Sequence, residues 1–517
     1  MTSKTRCVVI GIDGLDADLL LRFRAQLPNF DKLMQKSPSI KMMSVFPPDS
    51  PTAWASIFTG LNPAKHGIVS FKDQLSHSKV GEYLDYVHNI TGRTFWDFAG
   101  KYGKKCCVIF PHLAYPPWPV NGILVSRTTE VDIRKFDIQA YPTDLPLACS
   151  PAKLKPITSF PTDPGQIIQP TKNLILNEVQ FGTRLLKDFD WDIFFIYFSS
   201  LDNIEHMFWM DFETNAESTP YRYVIPNFYK FYDKHVIGQF LKTIDSNTAF
   251  VVLSDHGHGL RPYNVVNVNK FLAEAGLLAT KIKSSKLSDL HFLQEFIKKK
   301  VTSLISEKRI AAKIASKSLS IFPQSLGFYT GSSPIDWKQT RAHLSDCSAG
   351  LKAYCYAGIR VRENIQSPLY EQIRQSIIEL LKQIKDPTSS EKIVEWAIRR
   401  EDLYEGPFIS RYPDVIFKLR NDWGVGWETN GPLYDRSISH KLFPGNHRQE
   451  SAVFLLSYPD EQRFKACNPT LTDVAPTILR LLGIRDPNLY RLFDGESLCG
   501  SLQRNVGQHR ATNSHVS

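Results

Sequence analysis

The chain has 517 residues, enough to bury the core of a large enzyme, and its 42% hydrophobic and 22% charged content is ordinary for a folded globular protein. Its net charge of +10 is local: between Lys281 and Lys317 ten Lys or Arg face only Asp289, Glu295 and Glu307, which leaves the rest near balance and excludes a global nucleic-acid-binding field. The eight cysteines are scattered with no CxxC, the N-terminal apolar run is too short for a secretory leader, and no stretch approaches the ~20 apolar residues that span a bilayer. These features predict free thiols and a cytoplasmic protein.

Short β-branched and aromatic runs predict strands at Cys7–Ile12, Cys106–Phe110, Gly122–Ser126, Ile193–Phe198, Ala249–Ser254 and Ala452–Ser457. The runs are continuously apolar, as expected of strands buried on both faces. Amphipathic stretches at Thr171–Lys187 and Asn227–Ile244 predict helices; in the second, Phe228, Phe231, Val236, Phe240 and Ile244 fall near helical spacing. The alternation predicts an α/β core with a mostly parallel central sheet and helices on both faces. From about Pro262 to Glu428 the pattern changes. A basic amphipathic segment with a Phe292, Phe296, Leu304 and Ile305 stripe precedes strand candidates Ala357–Val361 and Asp414–Leu419, with a helix candidate Tyr370–Gln383 between them. We read residues 262–428 as an α+β cap inserted into a core of 1–261 and 429–499, and 500–517, polar and aperiodic, as a disordered tail.

Three apolar runs end in polar residues suited to a site: CVVIGID at Asp13, FFIYFSSLD at Asp202, and AFVVLSDH at Asp255–His256. In open α/β sheets the carboxyl ends of strands form the ligand crevice. An isolated Asp there is more often a turn former or helix cap, and the i, i+4 pair Asp202–His206 also occurs on ordinary surface helices. Asp255–His256 is harder to dismiss, because SDHGHG follows an apolar strand and its glycines permit close backbone approach. Three carboxylates and a histidine converging would require cations, and this donor set suits divalent first-row metals.

The segments GIDGLD (Gly11–Asp16), PPDSPTAWASIFTGLNPAKHGI (Pro47–Ile68), LDNIEHMFW (Leu201–Trp209), SDHGHG (Ser254–Gly259), GNHR (Gly445–Arg448) and LTDVAPTILRLLGI (Leu471–Ile484), followed by DGESL, resemble the alkaline phosphatase superfamily. Within it they resemble the type I phosphodiesterase/nucleotide pyrophosphatase branch, and REDLYEGPF, PDVIF and GWE resemble bacterial and archaeal members of that branch. The resemblance implies an alkaline-phosphatase-like core and two divalent metals, zinc by family habit, with manganese also suited to the ligands. One metal is implied at Asp202, His206 and His447. The other is implied at Asp13, Asp255 and His256, with the nucleophile's oxygen. The nucleophile position lies ten residues before the glycine of the TG pair, which here is Gly60, so Ser50 is favoured over its neighbour Thr52. A covalent phosphoseryl intermediate follows from that assignment. His258 is left as a residue that orients a ligand or simply shapes a turn.

One departure stands out. The nucleotide pyrophosphatases carry Thr as nucleophile and an Asn after HGI that binds a phosphoryl oxygen; here HGI at His66–Ile68 runs into Val69, Ser70 and Phe71, with Phe71 at the Asn position. Ser70, a backbone N–H or another side chain must take that task, or the substrate differs. A sulfatase reading fails on Ser50-Pro51-Thr52-Ala53-Trp54, where Pro comes one place early and Trp replaces the expected Arg. A phosphomonoesterase or phosphomutase would use the same site, with Lys65, Arg448 or the basic cap as a clamp for the extra charge. A reading of another class places residues 286–317 on an anionic membrane surface or partner; an ordinary solvated helix is favoured over it. The sequence predicts no specific nucleic-acid binding and leaves the oligomeric state open.

Overall fold

The computed structural model describes residues 6–73, 83–128, 136–147, 149–157, 163–213, 219–281, 335–346, 352–429, 431–437, 439–458 and 468–499. Successive strand residues point to opposite faces, so a strand that is apolar throughout must be covered twice. Val8, Ile10 and Ile12 pack with Phe194, Ile196 and Phe198 in one core layer, whereas Cys7 and Val9 join Ile193, Phe195 and Tyr197 in the other. The first layer is closed by helices that include Ile168–Asp188 and Ser200–Glu213, the second by Ser50–Thr59, Phe95–Lys101 and Val474–Leu481.

The eight-stranded sheet runs in the order Lys41–Met42, Ala452–Ser457, Thr248–Leu253, Arg6–Ile12, Ile193–Phe198, Cys106–Ile109, Gly122–Arg127, Ile138–Tyr141. The five strands from Thr248–Leu253 to Gly122–Arg127 are parallel, and antiparallel strands flank them. All six expected core strands are present, with ends shifted by a residue or so. Phe110 falls outside its strand because it turns the chain with a φ of 55°. The expected helix over Asn227–Ile244 begins at Val224 and contains a π-helical stretch, Tyr232–Ile237. Asp233 in that stretch accepts backbone N–H bonds from Asn29 and Phe30 at 2.9 and 2.8 Å, tying the widened turn to the Pro28–Lys36 helix.

A second sheet has the order Val394–Arg399, Val415–Leu419, Tyr356–Val361, Ala342–Asp346, Lys72–Asp73 and is antiparallel throughout. The Pro368–Leu381 helix covers one face, with Ile373, Ile377, Ile378 and Leu381 packed among Ala357, Ile359, Val415 and Phe417. On the other face Tyr356, Trp396 and Ile416 meet Phe46, Val69, Phe71 and Tyr412. A smaller sheet joins Asn264–Asn267 to Trp423–Gly426 and Tyr434–Arg436. The basic segment 286–317 and the tail 500–517 lie outside the described residues. Among the described residues no helix is long and apolar enough to cross a membrane, and six cysteines are free thiols.

Candidate metal centre and active site

Parallel registration brings the strand ends together. Ile12 pairs with Phe198 and Gly11 with Leu253, so Asp13, the start of the Ser200–Glu213 helix, and Asp255 emerge side by side. Gly11 is needed for this: a Cβ there would lie 2.8 Å from the Trp54 ring. Trp54 in turn donates its Nε1–H to Asp13 Oδ2 at 3.1 Å, and the Tyr197 hydroxyl donates to the same oxygen. Gly14, at a φ of 74°, turns the chain so that its N–H reaches Asp255 Oδ1 at 3.2 Å.

The remaining ligand-type residues come from a helix and a two-stranded sheet. Asp202 and His206 share one face of Ser200–Glu213. Strand Gly257–Leu260 pairs antiparallel with Gly445–Arg448, placing His447 opposite His258. This strand pair lies tight on the helix, since a Cβ on Gly445 would come 2.5 Å from the Cα of His206. Three histidines have their Nδ1 on backbone carbonyls: His206 on Gly445 at 2.9 Å, His447 on Pro48 at 3.0 Å, His256 on Gly257 at 3.1 Å. A carbonyl only accepts, so each Nδ1 carries a proton and each Nε2 faces inward. This is how proteins fix metal-binding imidazoles.

Two groups result. Asp202, His206, His258 and His447 bring ligand atoms within 4.8 Å of one another, and Asp13, Asp255 and His256 form the second group on the same criterion. The structure thus gathers the six expected metal ligands and adds His258, which sequence reasoning had set aside as a turn or orienting residue. Ser50 Oγ stands 3.2 Å from His256 Nε2 and 3.4 Å from Asp13 Oδ1, at the first position of the Ser50–Thr59 helix. Thr52 is fully buried and bonded to Ser70 Oγ at 2.9 Å. His66 is also buried, between Ser56 Oγ at 2.9 Å and the Ile68 N–H at 3.1 Å. Phe71 belongs to the aromatic cluster under the second sheet, 5.7 Å from Tyr412 and 6.2 Å from Phe46 between ring centres.

The charges of the centre are frustrated without cations. Burial, then repulsion from Asp255 and Asp202, lifts the Asp13 carboxyl well above its ordinary range. Burial chiefly, with Asp202 adding to it, raises Asp255 to about 7. Burial alone would raise Asp202 too, but His206, His447 and His258 more than offset it and hold it well below. Burial keeps His206 and His256 neutral, the form that ligates metals. Burial opposes the charge on His447, yet Asp202 and Asp49 push it up to about 9. Asp202 Oδ1 and Asp255 Oδ2 are buried and accept no hydrogen bond. A buried carboxylate oxygen in that condition is costly, and the donor set fits divalent cations.

A cleft of about 490 Å³ opens beside Ser50, Asp13 and Asp202, walled by Phe110, Pro111, Pro156 and Tyr197, with His112, Arg127, Thr128 and Ser199 supplying polar groups. Arg127 is ion-paired at 2.6 Å with Glu178, which is fully buried. Lys65 is bound to Asp494. Sequence reasoning missed Arg127, Tyr197, Trp54 and Glu205; Glu205 alone carried a signal, lying between Asp202 and His206 on the same helix.

A family model for type I phosphodiesterase/nucleotide pyrophosphatase matches residues 7–426. The chain belongs to this family. No curated protein matches it. Among solved structures it resembles phosphonoacetate hydrolase from Sinorhizobium meliloti in complex with phosphonoformate, at 14% identity, covering 93% of this chain and 95% of that one with a TM-score of 0.51. The same enzyme in complex with phosphonoacetate aligns at 13% identity over 93% and 95% of the chains, TM-score 0.50. Human ectonucleotide pyrophosphatase/phosphodiesterase 5 aligns at 12% identity over 96% and 97%, TM-score 0.47. At such identities the two phosphonoacetate hydrolase matches speak for a shared fold alone. Membership of the type I phosphodiesterase/nucleotide pyrophosphatase family makes this chain a phosphoester hydrolase with Asp/His clusters able to bind metal.

Proposed function

We propose that this hydrolase cleaves phosphodiester or pyrophosphate bonds through a phosphoseryl intermediate at Ser50, with two divalent cations, zinc first by donor chemistry. The observation that carries the reading is the Ser50 hydroxyl set between His256 and Asp13 at the mouth of the cleft. When bound, the cations supply charge neutralisation and lower the effective pKa of the hydroxyl. Ser50 Oγ loses its proton and bonds to phosphorus as the bond to the departing alcohol or phosphate oxygen breaks, and that oxygen takes up a proton. Water then attacks phosphorus, the P–Oγ bond breaks, and Ser50 regains its hydrogen. The Ser50–Thr59 helix aims its N-terminus at the developing phosphoryl charge. Asp13 is held in place by Trp54 and Tyr197, so the site does not reorganise as charge moves.

Diesters are favoured over monoesters on charge. Among the described residues lining the cleft, the one cationic side chain is Arg127, and Glu178 neutralises it. Lys65 is spent on Asp494. A monoester's extra charge would lack a clamp there. We take residues 1–261 and 429–499 as the catalytic core and 262–428 as its cap. The test is metal analysis of purified protein together with a matched panel of aryl phosphate mono- and diesters. Diester turnover, abolished by chelation and by Ser50→Ala, supports the reading. A clear monoester preference, or full turnover in Ser50→Ala, overturns it.

A further inference from the structure

His258 has no part in the reaction just described, yet it is fully buried and its Nε2 has no hydrogen-bond partner. That nitrogen lies 3.5 Å from Asp202 Oδ1. The same oxygen is 3.4 Å from His206 Nε2 and 3.5 Å from His447 Nε2, and the two latter nitrogens are 3.0 Å apart. A tetrahedron with metal–ligand bonds of about 2.0–2.1 Å has edges of about 3.3–3.4 Å. One oxygen nearly equidistant from three imidazole nitrogens is the spacing of ligands around a shared cation.

What stands behind His258 points the same way. Its Nδ1 lies 3.1 Å from Glu205 Oε2 without the alignment of a hydrogen bond, and its Nε2 faces Asp202. Glu205 accepts the Tyr229 hydroxyl on its other oxygen at 2.8 Å, and Tyr229 accepts the Asp16 N–H at 3.0 Å. Asp16 Oδ2 accepts the His258 backbone N–H at 3.1 Å, and Trp209 stacks on the imidazole with ring centres 5.8 Å apart. A buried carboxyl group packed beside an imidazole is a setting in which proteins orient a metal-bound histidine.

We propose that His258 is a fourth protein ligand, so that Asp202, His206, His258 and His447 form a closed tetrahedral site, while Asp13, Asp255 and His256 form an open one that Ser50 and substrate complete. The inference rests on the two-metal reading above and makes its halves unequal. Four protein ligands including three imidazoles give the first site a tightly held, zinc-selective cation with no vacant position. Two carboxylates and one imidazole give the second a more exchangeable cation, tolerant of manganese. Glu205 is a positioning residue in this scheme.

The full-length protein is loaded with zinc, dialysed against increasing concentrations of a chelator, and its metal content per chain measured by mass spectrometry. Release is expected in two steps. X-ray absorption on protein holding only the retained equivalent is expected to show three imidazoles and one carboxylate. His258→Ala should lose that equivalent along with the first, and Glu205→Gln should weaken its retention by about 10–100-fold. Two imidazoles on the retained zinc of the unsubstituted protein, or unchanged retention in His258→Ala, overturns the inference; the absorption measurement needs no variant to fold. Single-step release with intact diester turnover sinks this inference and leaves the proposed function standing. Two-step release without turnover of any phosphate ester does the reverse.

Discussion

Ser50 and Thr52 sit two residues apart at the start of one helix, and their hydroxyls face different worlds. Ser50 Oγ points among His256 and Asp13, whereas Thr52 Oγ1 is bonded to Ser70 away from the ligands. Ser50→Ala should therefore lower diester turnover by about 10³-fold or more, removing the nucleophile. Thr52→Val should cost turnover less than about tenfold, since it removes one buried hydroxyl bond worth about 1 kcal/mol. Equal losses in the two variants, measured by steady-state kinetics on fully metallated protein, would break the assignment. His66, in the HGI segment, makes a prediction about stability instead. Burial, and next the Arg411 charge, hold its pKa down to about 3, below the ordinary 6.5. The unfolded chain thus binds a proton that the native state refuses, so this contribution is whole above pH 6.5 and falls as pH drops toward 3. Urea midpoints should fall more between about pH 7.5 and pH 5 in the unsubstituted protein than in His66→Gln, in which that titration is absent; equal falls would mean that His66 is not buried neutral.

At the scale of elements, what the sequence made legible was whatever repeats locally. Continuous apolar runs marked the six core strands, and the stretches Thr171–Lys187 and Tyr370–Gln383 marked what the structure shows as the Ile168–Asp188 and Pro368–Leu381 helices. Edge strands such as Lys41–Met42 and Ile138–Tyr141 escaped because they are short and only partly covered, so no strong pattern is imposed on them. The two-stranded sheet of Gly257–Leu260 and Gly445–Arg448 escaped for a different reason: its strands are far apart in sequence, and only their pairing shows that His258 and His447 face one another. Phe71 shows the converse. Against the family pattern it reads as a missing oxyanion donor; in the fold it is a wedge between Phe46 and Tyr412 beneath the second sheet. Restoring the family residue with Phe71→Asn should consequently destabilise the protein by about 3 kcal/mol or more, from lost packing and an unpaired buried amide. It should bring no gain in kcat. Denaturant unfolding and kinetics on the same preparation check both halves, and a stable, faster variant would show that the position serves phosphate after all.

Across the whole molecule, the catalytic sheet and the second sheet meet at the metal centre, and a single buried cation helps hold the junction. The Arg261 guanidinium is fully buried and donates to the carbonyls of Phe443, Lys352 and Gly445, with its face 5.3 Å from the Tyr354 ring centre. Lys352 and Tyr354 lead into the Tyr356–Val361 strand of the second sheet, while Gly445 opens the strand that carries His447. The Gly445 carbonyl also receives the Nδ1–H of His206, so Arg261 and a metal-ligand candidate share one acceptor. Arg261→Met keeps much of the volume and removes the guanidinium's hydrogen bonds, each worth about 1 kcal/mol, while the Gly445 carbonyl keeps the His206 Nδ1–H. The variant should lose several kcal/mol of stability and also retain metal less well, because the carbonyl that aims His206 is no longer fixed. A cation that binds only the native state returns stability as its concentration exceeds the dissociation constant. Added zinc should accordingly raise the urea midpoint of Arg261→Met at higher concentrations than the unsubstituted protein requires. If both midpoints respond at the same zinc concentration, Arg261 joins the two sheets without reaching the centre between them.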